Sequence, residues 1–331
     1  MTMRFGVFVP QGWRTDLTEI ADPVDQWEAM TAVARAADAG PWDSIWLFDH
    51  FHTVPEPVRA SVFEAWTTTA ALARDTSRVN IGQMVGCNGY RNPALVAKMA
   101  ATVDVASHGR LYAGLGAGWD EAEWKAYGYP WQERGDRMGS FSEAVELISR
   151  LWTEDDVVFR GRYHSVDRPY VEPKGARRPH PALWIGGGGE RVTLKLVAKY
   201  ADACNFGTGD PATIKHKLTI LSQHCDAVGR DYGEIIKSTN INVFPIGSGD
   251  DPHKATAKAR GRYGLDEFTR LGAGGTRPGS RAQIRTTNDI VNHLEQLAEV
   301  GVEYVNAYIP GVAYDHEPLH RFAGDVVPAL G

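Results

Sequence analysis

Apolar residues follow two alternating rhythms along this chain. Short, nearly unbroken apolar runs are separated by longer segments in which apolar positions recur every three or four residues. These are the patterns of buried strands and of helices with one buried face. Phe5-Gly6-Val7-Phe8-Val9 reads as a first strand, closed by Pro10-Gln11-Gly12-Trp13. Pro23 to Ala39 reads as a helix stopped by Gly40-Pro41. Ser44 to Phe48 is a second strand that ends abruptly on Asp49-His50, and Phe63 to Ala73 a second helix. Val79 to Val85 is a third strand, with Gly82 and Gly86 as bulge positions. Asn92-Pro93 opens a third helix as cap and first residue, and Gly109 ends it. Leu111 to Leu115 is a fourth strand, a long polar-aromatic loop follows, and Phe141, Val145, Ile148 and Trp152 mark a fourth helix.

The rhythm then breaks. Val157 to Val171 reads as a hairpin and Pro173 to Pro181 as a loop. Leu183-Trp184-Ile185 resumes as a fifth strand, with Val192, Leu196 and Tyr200 on the next helix. Ala203 to Phe206 is the sixth strand, Ile214 to Val228 a helix, and Thr239 to Phe244 the seventh strand. Gly247 to Gly279, rich in glycine and charge, looks like an insertion. Ile290 to Val300 is helical, Tyr304 to Ile309 is the eighth strand, and His316 to Val327 is the last helix. Eight strand-helix units without a linker predict an α/β fold, a (β/α)8 TIM barrel forming one domain over 1–331; such barrels run to about 250 residues before insertions. A doubly wound open sheet is the second architecture the count allows.

Composition narrows the function more than the fold. The 331 residues are 43% apolar and 23% charged, with a net charge of −6. An acidic chain without a basic face argues against nucleic acid or an anionic membrane as partner. Three dispersed cysteines without a CxxC suit a reducing compartment. No signal-like start and no apolar run of membrane-spanning length is present, so a cytoplasmic protein acting on a small molecule is expected.

The chemistry-bearing residues cluster where strands end. Gly114-Leu115-Gly116-Ala117-Gly118-Trp119 follows the fourth strand, and tight-turn packing explains it as well as a ligand does. Gly186-Gly187-Gly188-Gly189-Glu190-Arg191 stands between a strand and a helix, where exposed amides make an anion site that Arg191 reinforces. Gly207-Thr208 follows the sixth strand and can join the same anion. His50 and His52 form an HxH, a spacing also used by metal-dependent hydrolases. Partner ligands at other strand ends do not show in the sequence, so no metal is expected. His50 beside Asp49 is then the candidate proton carrier, since an imidazole can give or take a proton near neutral pH. Trp13, Trp46, Trp119 and Cys87 are candidates for the wall of a flat substrate pocket, with core packing as the alternative for each.

Together these segments resemble the luciferase-like monooxygenase superfamily, and within it the branch dependent on the deazaflavin coenzyme F420. The carriers are Asp43-Ser44-Ile45-Trp46 leading to Asp49-His50-Phe51, the run from Tyr90-Arg91-Asn92-Pro93 to Asp104, Gly109-Arg110-Leu111 through Trp119, Ala126-Tyr127-Gly128, Ile185 to Gly189, and Lys199-Tyr200-Ala201-Asp202. The resemblance implies a TIM barrel with the cofactor ring at the carboxyl ends of the strands and His50 beside the carbon that exchanges hydride. It implies cofactor contacts from Asp49, from a bulge with a non-prolyl cis peptide near Met84-Val85-Gly86, from Ala117 and Gly118, from Gly187, Gly188, Gly189, Arg191 and Val192 on the phosphate, and from Gly207 and Thr208. Sugar-phosphate dehydrogenases of this branch carry a glutamate directly after the GxG turn, where this chain has Trp119. That departure implies an acid lost from the pocket and a flatter, more apolar substrate. The expected function is hydride transfer between F420 and a small organic substrate, by a homodimer as in many relatives. An FMN-dependent monooxygenase is the alternative, and a non-catalytic flavin-binding protein a third reading.

Overall fold

In the computed structural model, which describes residues 2–256 and 283–330, the alternation closes on itself. The elements run β1 (Arg4–Phe8), α1 (Pro23–Ala39), β2 (Ser44–Leu47), α2 (Ala65–Asp75), β3 (Asn80–Gln83), β4 (Gly86–Cys87), α3 (Pro93–Ala106), β5 (Leu111–Gly116), α4 (Glu121–Ala126) and α5 (Arg134–Thr153). Then come the hairpin β6 (Val158–Arg160) and β7 (Ser165–Asp167), β8 (Ala182–Gly186), α6 (Thr193–Tyr200), β9 (Ala203–Phe206), α7 (Pro211–Val228), β10 (Ile236–Ile246), α8 (Pro252–Ala255), β11 (Gln283–Thr286), α9 (Thr287–Glu299), β12 (Tyr304–Tyr308) and α10 (Glu317–Arg321). Eight parallel strand positions form the barrel: β1, β2, the broken β3/β4, β5, β8, β9, β10 and β12, with the β9–β10 pairing closing the ring. The open doubly wound sheet is therefore excluded.

Local chemistry explains where the helices begin. Asp22, Asn92 and Asp210 each cap a helix with a side-chain oxygen, and a proline follows each at the first turn. The barrel interior is filled by aromatic side chains. Trp46, Tyr112, Trp184 and Tyr304 pack together, with ring centroids 4.8 Å apart for Trp46–Trp184 and 5.1 Å for Trp184–Tyr304. Two glycines make room for this layer. A Cβ on Gly6 would lie 2.4 Å from both Ser44 Oγ and Trp46 Nε1, and one on Gly82 would lie 2.1 Å from the Tyr112 carbonyl. Trp46 is fully buried here. It fills the barrel and does not wall the pocket, because its place on β2 points it inward one layer below the mouth.

Four details differ from the periodic reading. The third strand is interrupted after Gln83, and the Met84–Val85 peptide in the gap is cis, where the resemblance put such a bond. Strand β10 spans Ile236–Ile246, longer at both ends than the expected Thr239 to Phe244, and its polar residues Ser238, Asn240 and Asn242 are buried. Two of them bond within the barrel: Asn205 Nδ2 donates to Ser238 Oγ and to Asn240 Oδ1, at 2.9 and 3.0 Å. The upper part of β10 pairs with β11 outside the barrel. Helix α4 occupies part of the stretch read as a loop. Of the expected insertion, residues 257–279 lie outside the described residues. Among the described residues no helix is long and apolar enough to cross a membrane.

Candidate active site

Successive residues of a strand point to opposite faces, so Trp46, Phe48 and His50 project along one line up the barrel axis. Above the Trp46 layer, Phe48 stacks on Phe8 at 4.4 Å. His50 comes next, at the mouth, with its ring stacked parallel to Trp13 at 4.5 Å and tilted against Trp119 at 5.4 Å. Trp13 is buried, whereas Trp119 is 49% exposed and forms an open wall. Two of the four expected pocket residues, Trp13 and Trp119, thus lie against the His50 ring.

Glu123, which was not among the expected site residues, is the carboxylate partner of His50. Glu123 Oε2 lies 2.9 Å from His50 Nδ1 and also accepts from the Tyr90 hydroxyl. Glu123 Oε1 accepts from the amides of Phe51 and His52, at 2.5 and 2.7 Å. Burial pushes this carboxyl up, but the hydrogen bond from His50, its charge, and the bonds from Tyr90 and the His52 amide outweigh that and hold it down, at about 2. An ionised carboxylate only accepts, so Nδ1 of His50 carries a proton and Nε2 is the nitrogen left to exchange one. Glu123 is placed by α4, whose first turn is capped by Asp120 Oδ1 on the Glu123 amide at 3.1 Å. The Asp-x-x-Glu spacing ahead of Trp124 is a helix-start signal that could have revealed it.

Ligand atoms of His50, Asp120 and Glu123 also lie within 4.8 Å of one another, a grouping the sequence reading did not foresee. Each Glu123 oxygen already takes two donors. This is the pattern of a hydrogen-bonded carboxylate. His52 enters through its amide, while its ring packs toward Tyr127 at 5.5 Å.

Asp49 is buried beneath His50. Arg91 donates to both its oxygens, at 2.6 and 3.0 Å, and the Cys87 amide adds a third bond at 2.8 Å. Arg91 continues to Glu64 at 2.5 Å. Burial opposes the Arg91 charge, but Asp49 and Glu64 together raise its pKa above the ordinary value. Arg91 and Glu64 were not among the expected site residues. Past the cis peptide, Val85 lies over glycines of two neighbouring strands: a Cβ on Gly116 would come 2.6 Å from its Cγ2, and one on Gly186 2.8 Å from its Cγ1. Met84, Val85 and Gly86 therefore stand at the mouth, on a floor that glycine keeps flat. Gly118 adopts φ +78°, and a Cβ there would meet Cys87 Sγ at 2.6 Å. Cys87 is buried against it, and burial pushes its thiol up to about 12, so it packs as a neutral group.

A separate cleft of about 840 Å³ opens beside the β8–α6 turn. Gly188, Gly189, Arg191, Val192 and Thr193 line it, facing Arg134 on α5 and Lys217 on α7. Gly187 reaches φ +117°, a conformation glycine alone adopts easily, and a Cβ on Gly189 would press within 2.8 Å of Thr193 Oγ1. Arg134, Arg191 and Lys217 give the cleft its cations, while Glu190 pairs with Lys217 at 2.5 Å and His216 at 3.1 Å. This donor set fits a phosphate. Arg134 and Lys217 carried no motif and were missed. Gly207 and Thr208 are not among the lining residues; Thr208 Oγ1 accepts from the Asp210 amide at 3.2 Å in the turn that opens α7. Ala117 connects the end of β5 to Gly118.

The model of the luciferase-like monooxygenase family matches residues 3–304. The chain is 26% identical over 343 residues to an F420-dependent glucose-6-phosphate dehydrogenase of Intrasporangium calvum, covering 96% of this chain and 98% of that one. It is 36% identical over 217 residues to the enzyme of the same name from Amycolatopsis mediterranei, covering 63% of this chain and 62% of the relative. Its fold matches that of an F420-dependent secondary alcohol dehydrogenase, solved in complex with an F420-acetone adduct, with a TM-score of 0.77 at 21% identity over the whole of both chains.

Proposed function

The chain belongs to the luciferase-like monooxygenase family, and from that premise we propose that it is an F420-dependent oxidoreductase acting on a small, flat organic substrate. The carrying observation is the ionised Glu123 on His50 Nδ1, at a barrel mouth that also offers a glycine-lined, cation-bearing cleft. The bound deazaflavin would supply the hydride chemistry. Gly188, Gly189, Arg191 and Val192, joined by Arg134 and Lys217, would hold its phosphate. The bulge at Met84, Val85 and Gly86, backed by Asp49 and Ala117-Gly118, would support its ring. Gly207-Thr208 would reach its tail.

The chain's own contribution is orientation and a proton path. Glu123 fixes the tautomer and the plane of His50, so Nε2 faces the reacting molecule ready to accept a proton from an alcohol or to give one to a carbonyl or C=C. Trp13 clamps the imidazole from one side. Trp119, where the sugar-phosphate dehydrogenases have an acid, favours an apolar substrate face over a sugar phosphate.

His50→Ala tests the assignment. Turnover of a panel of secondary alcohols with F420, or of ketones with its reduced form, should fall by about 10²–10⁴-fold, the usual share of a positioned acid–base, while F420 still binds. Retained turnover would remove His50 from the mechanism. The family's description as monooxygenases keeps a second reading, oxygenation with reduced FMN, and oxygen consumption with reduced FMN would favour it.

A further inference from the structure

We propose that Arg14 is the receptor for a carboxylate on the substrate, which makes this enzyme selective for flat organic acids. The proposal rests on the reading of the barrel mouth as the redox site. Arg14 lies in the loop after β1 and is 2% exposed. Its guanidinium carbon sits 4.3 Å from the Tyr308 ring centroid, 5.3 Å from that of Trp13 and 5.7 Å from that of Phe48. Trp13 is the same ring that stacks on His50. The cation and the proton carrier therefore share one aromatic wall.

Two of the three guanidinium nitrogens are held there without an acceptor. Nε and Nη1 are both buried and have no acceptor. Among the described residues no carboxylate lies within ion-pair distance of it. Asp16 is close enough to act on it through charge, but the Asp16 oxygens accept from the Gly12 amide at 3.2 Å and from the Tyr308 hydroxyl. Burial pushes the Asp16 carboxyl up and the Arg14 guanidinium down, as it does for charges taken from water.

An arginine does not discharge to escape such a site. Aromatic faces attract the charge but accept none of its N–H bonds strongly. The missing partner is thus an oxygen anion arriving with the ligand. One guanidinium balances one negative charge. A phosphate dianion among Trp13, Phe48 and Tyr308 would leave a second charge buried and unpaired, and the cation-lined cleft at Arg191 and Lys217 is the place built for that group. A single carboxylate on an aromatic or planar frame matches both the charge and the walls.

Benzoate and 2-naphthoate, each against its neutral amide, are the probes. Binding is followed by tryptophan fluorescence with and without F420, and F420 is titrated separately. The wild-type protein should bind each acid roughly tenfold to hundredfold more tightly than its amide, the value of a charged hydrogen bond in a buried site. Arg14→Gln should erase that preference while leaving F420 affinity unchanged, and Arg14→Lys should keep part of it. Acids and amides binding alike, neither binding, or the preference surviving in Arg14→Gln would overturn the proposal. The wild-type acid-to-amide ratio decides alone if the glutamine variant does not fold. Failure of F420 to bind would instead refute the cofactor assignment and leave the acid-to-amide result readable.

Discussion

Replacing Glu123 by glutamine separates the roles of charge and shape at the mouth. The side chain stays the same size, but one acceptor oxygen becomes a donor. If the new amide nitrogen takes the Oε2 position, it faces His50 Nδ1 and forces that nitrogen to accept, moving the proton to Nε2. If it takes the Oε1 position, it meets the amides of Phe51 and His52, two donors that cannot accept. Either way a charge-assisted bond is lost in a buried site, worth about 1.5–3 kcal/mol. If that bond is needed in the transition state, each 1.36 kcal/mol is about tenfold, so turnover should fall roughly tenfold to a hundredfold. Nitrogen NMR of the labelled His50 ring should show the proton on Nδ1 in the wild type, and on Nε2 in the variant when the new amide nitrogen takes the Oε2 position. Stability carries its own sign. Glu123 is held at about 2, below its ordinary value of 4.5, so its contribution is present above about pH 4.5 and is lost as pH falls toward 2. The gap in urea midpoint between wild type and variant should therefore narrow over that window. Unchanged turnover together with an unchanged tautomer would refute the reasoning.

Gly188→Asp should cut F420 affinity by an amount set by like-charge contact with the phosphate, about 2 kcal/mol or more. Its Cβ would make only ordinary contact with Lys217 Cε at 3.5 Å, so the melting temperature should stay put, and a variant that binds F420 normally would exclude this cleft. Arg91→Met leaves the buried Asp49 with the Cys87 amide alone, and an uncompensated buried charge costs about 3–5 kcal/mol; chemical denaturation measures it. Gly6→Ala places a Cβ 2.4 Å from Ser44 Oγ and Trp46 Nε1 and should cost about 1–3 kcal/mol, read from the shift in urea midpoint.

The barrel was legible because its signals are local. Apolar runs, capping residues such as Asn92-Pro93 and the glycine turn at 186–189 each depend on a few neighbouring positions. His50 was legible for the same reason, standing where β2 turns polar. Glu123 was not, since its partner is far away in sequence and only the closure of α4 over β2 joins them. Trp46 failed in the other direction: its aromatic type suggested a pocket, but the inward period of β2 and the space left by Gly6 and Gly82 put it in the interior. Arg134 and Lys217 meet only through the packing of α5 and α7 around the β8–α6 turn, and no spacing along the chain records that. The ends of β10 were cut short because Lys237 and Ser238 are polar and Pro245 is a strand breaker by type, although all three lie in the strand.

In the proposed function this mouth and cleft bind F420 and place it against His50. Titration of purified protein with F420, followed by tryptophan fluorescence with FMN as competitor, addresses it directly. Saturable quenching by F420 that excess FMN does not reverse is expected, retained in His50→Ala and weakened in Gly188→Asp. Tighter binding of FMN, or F420 binding untouched by Gly188→Asp, would contradict it.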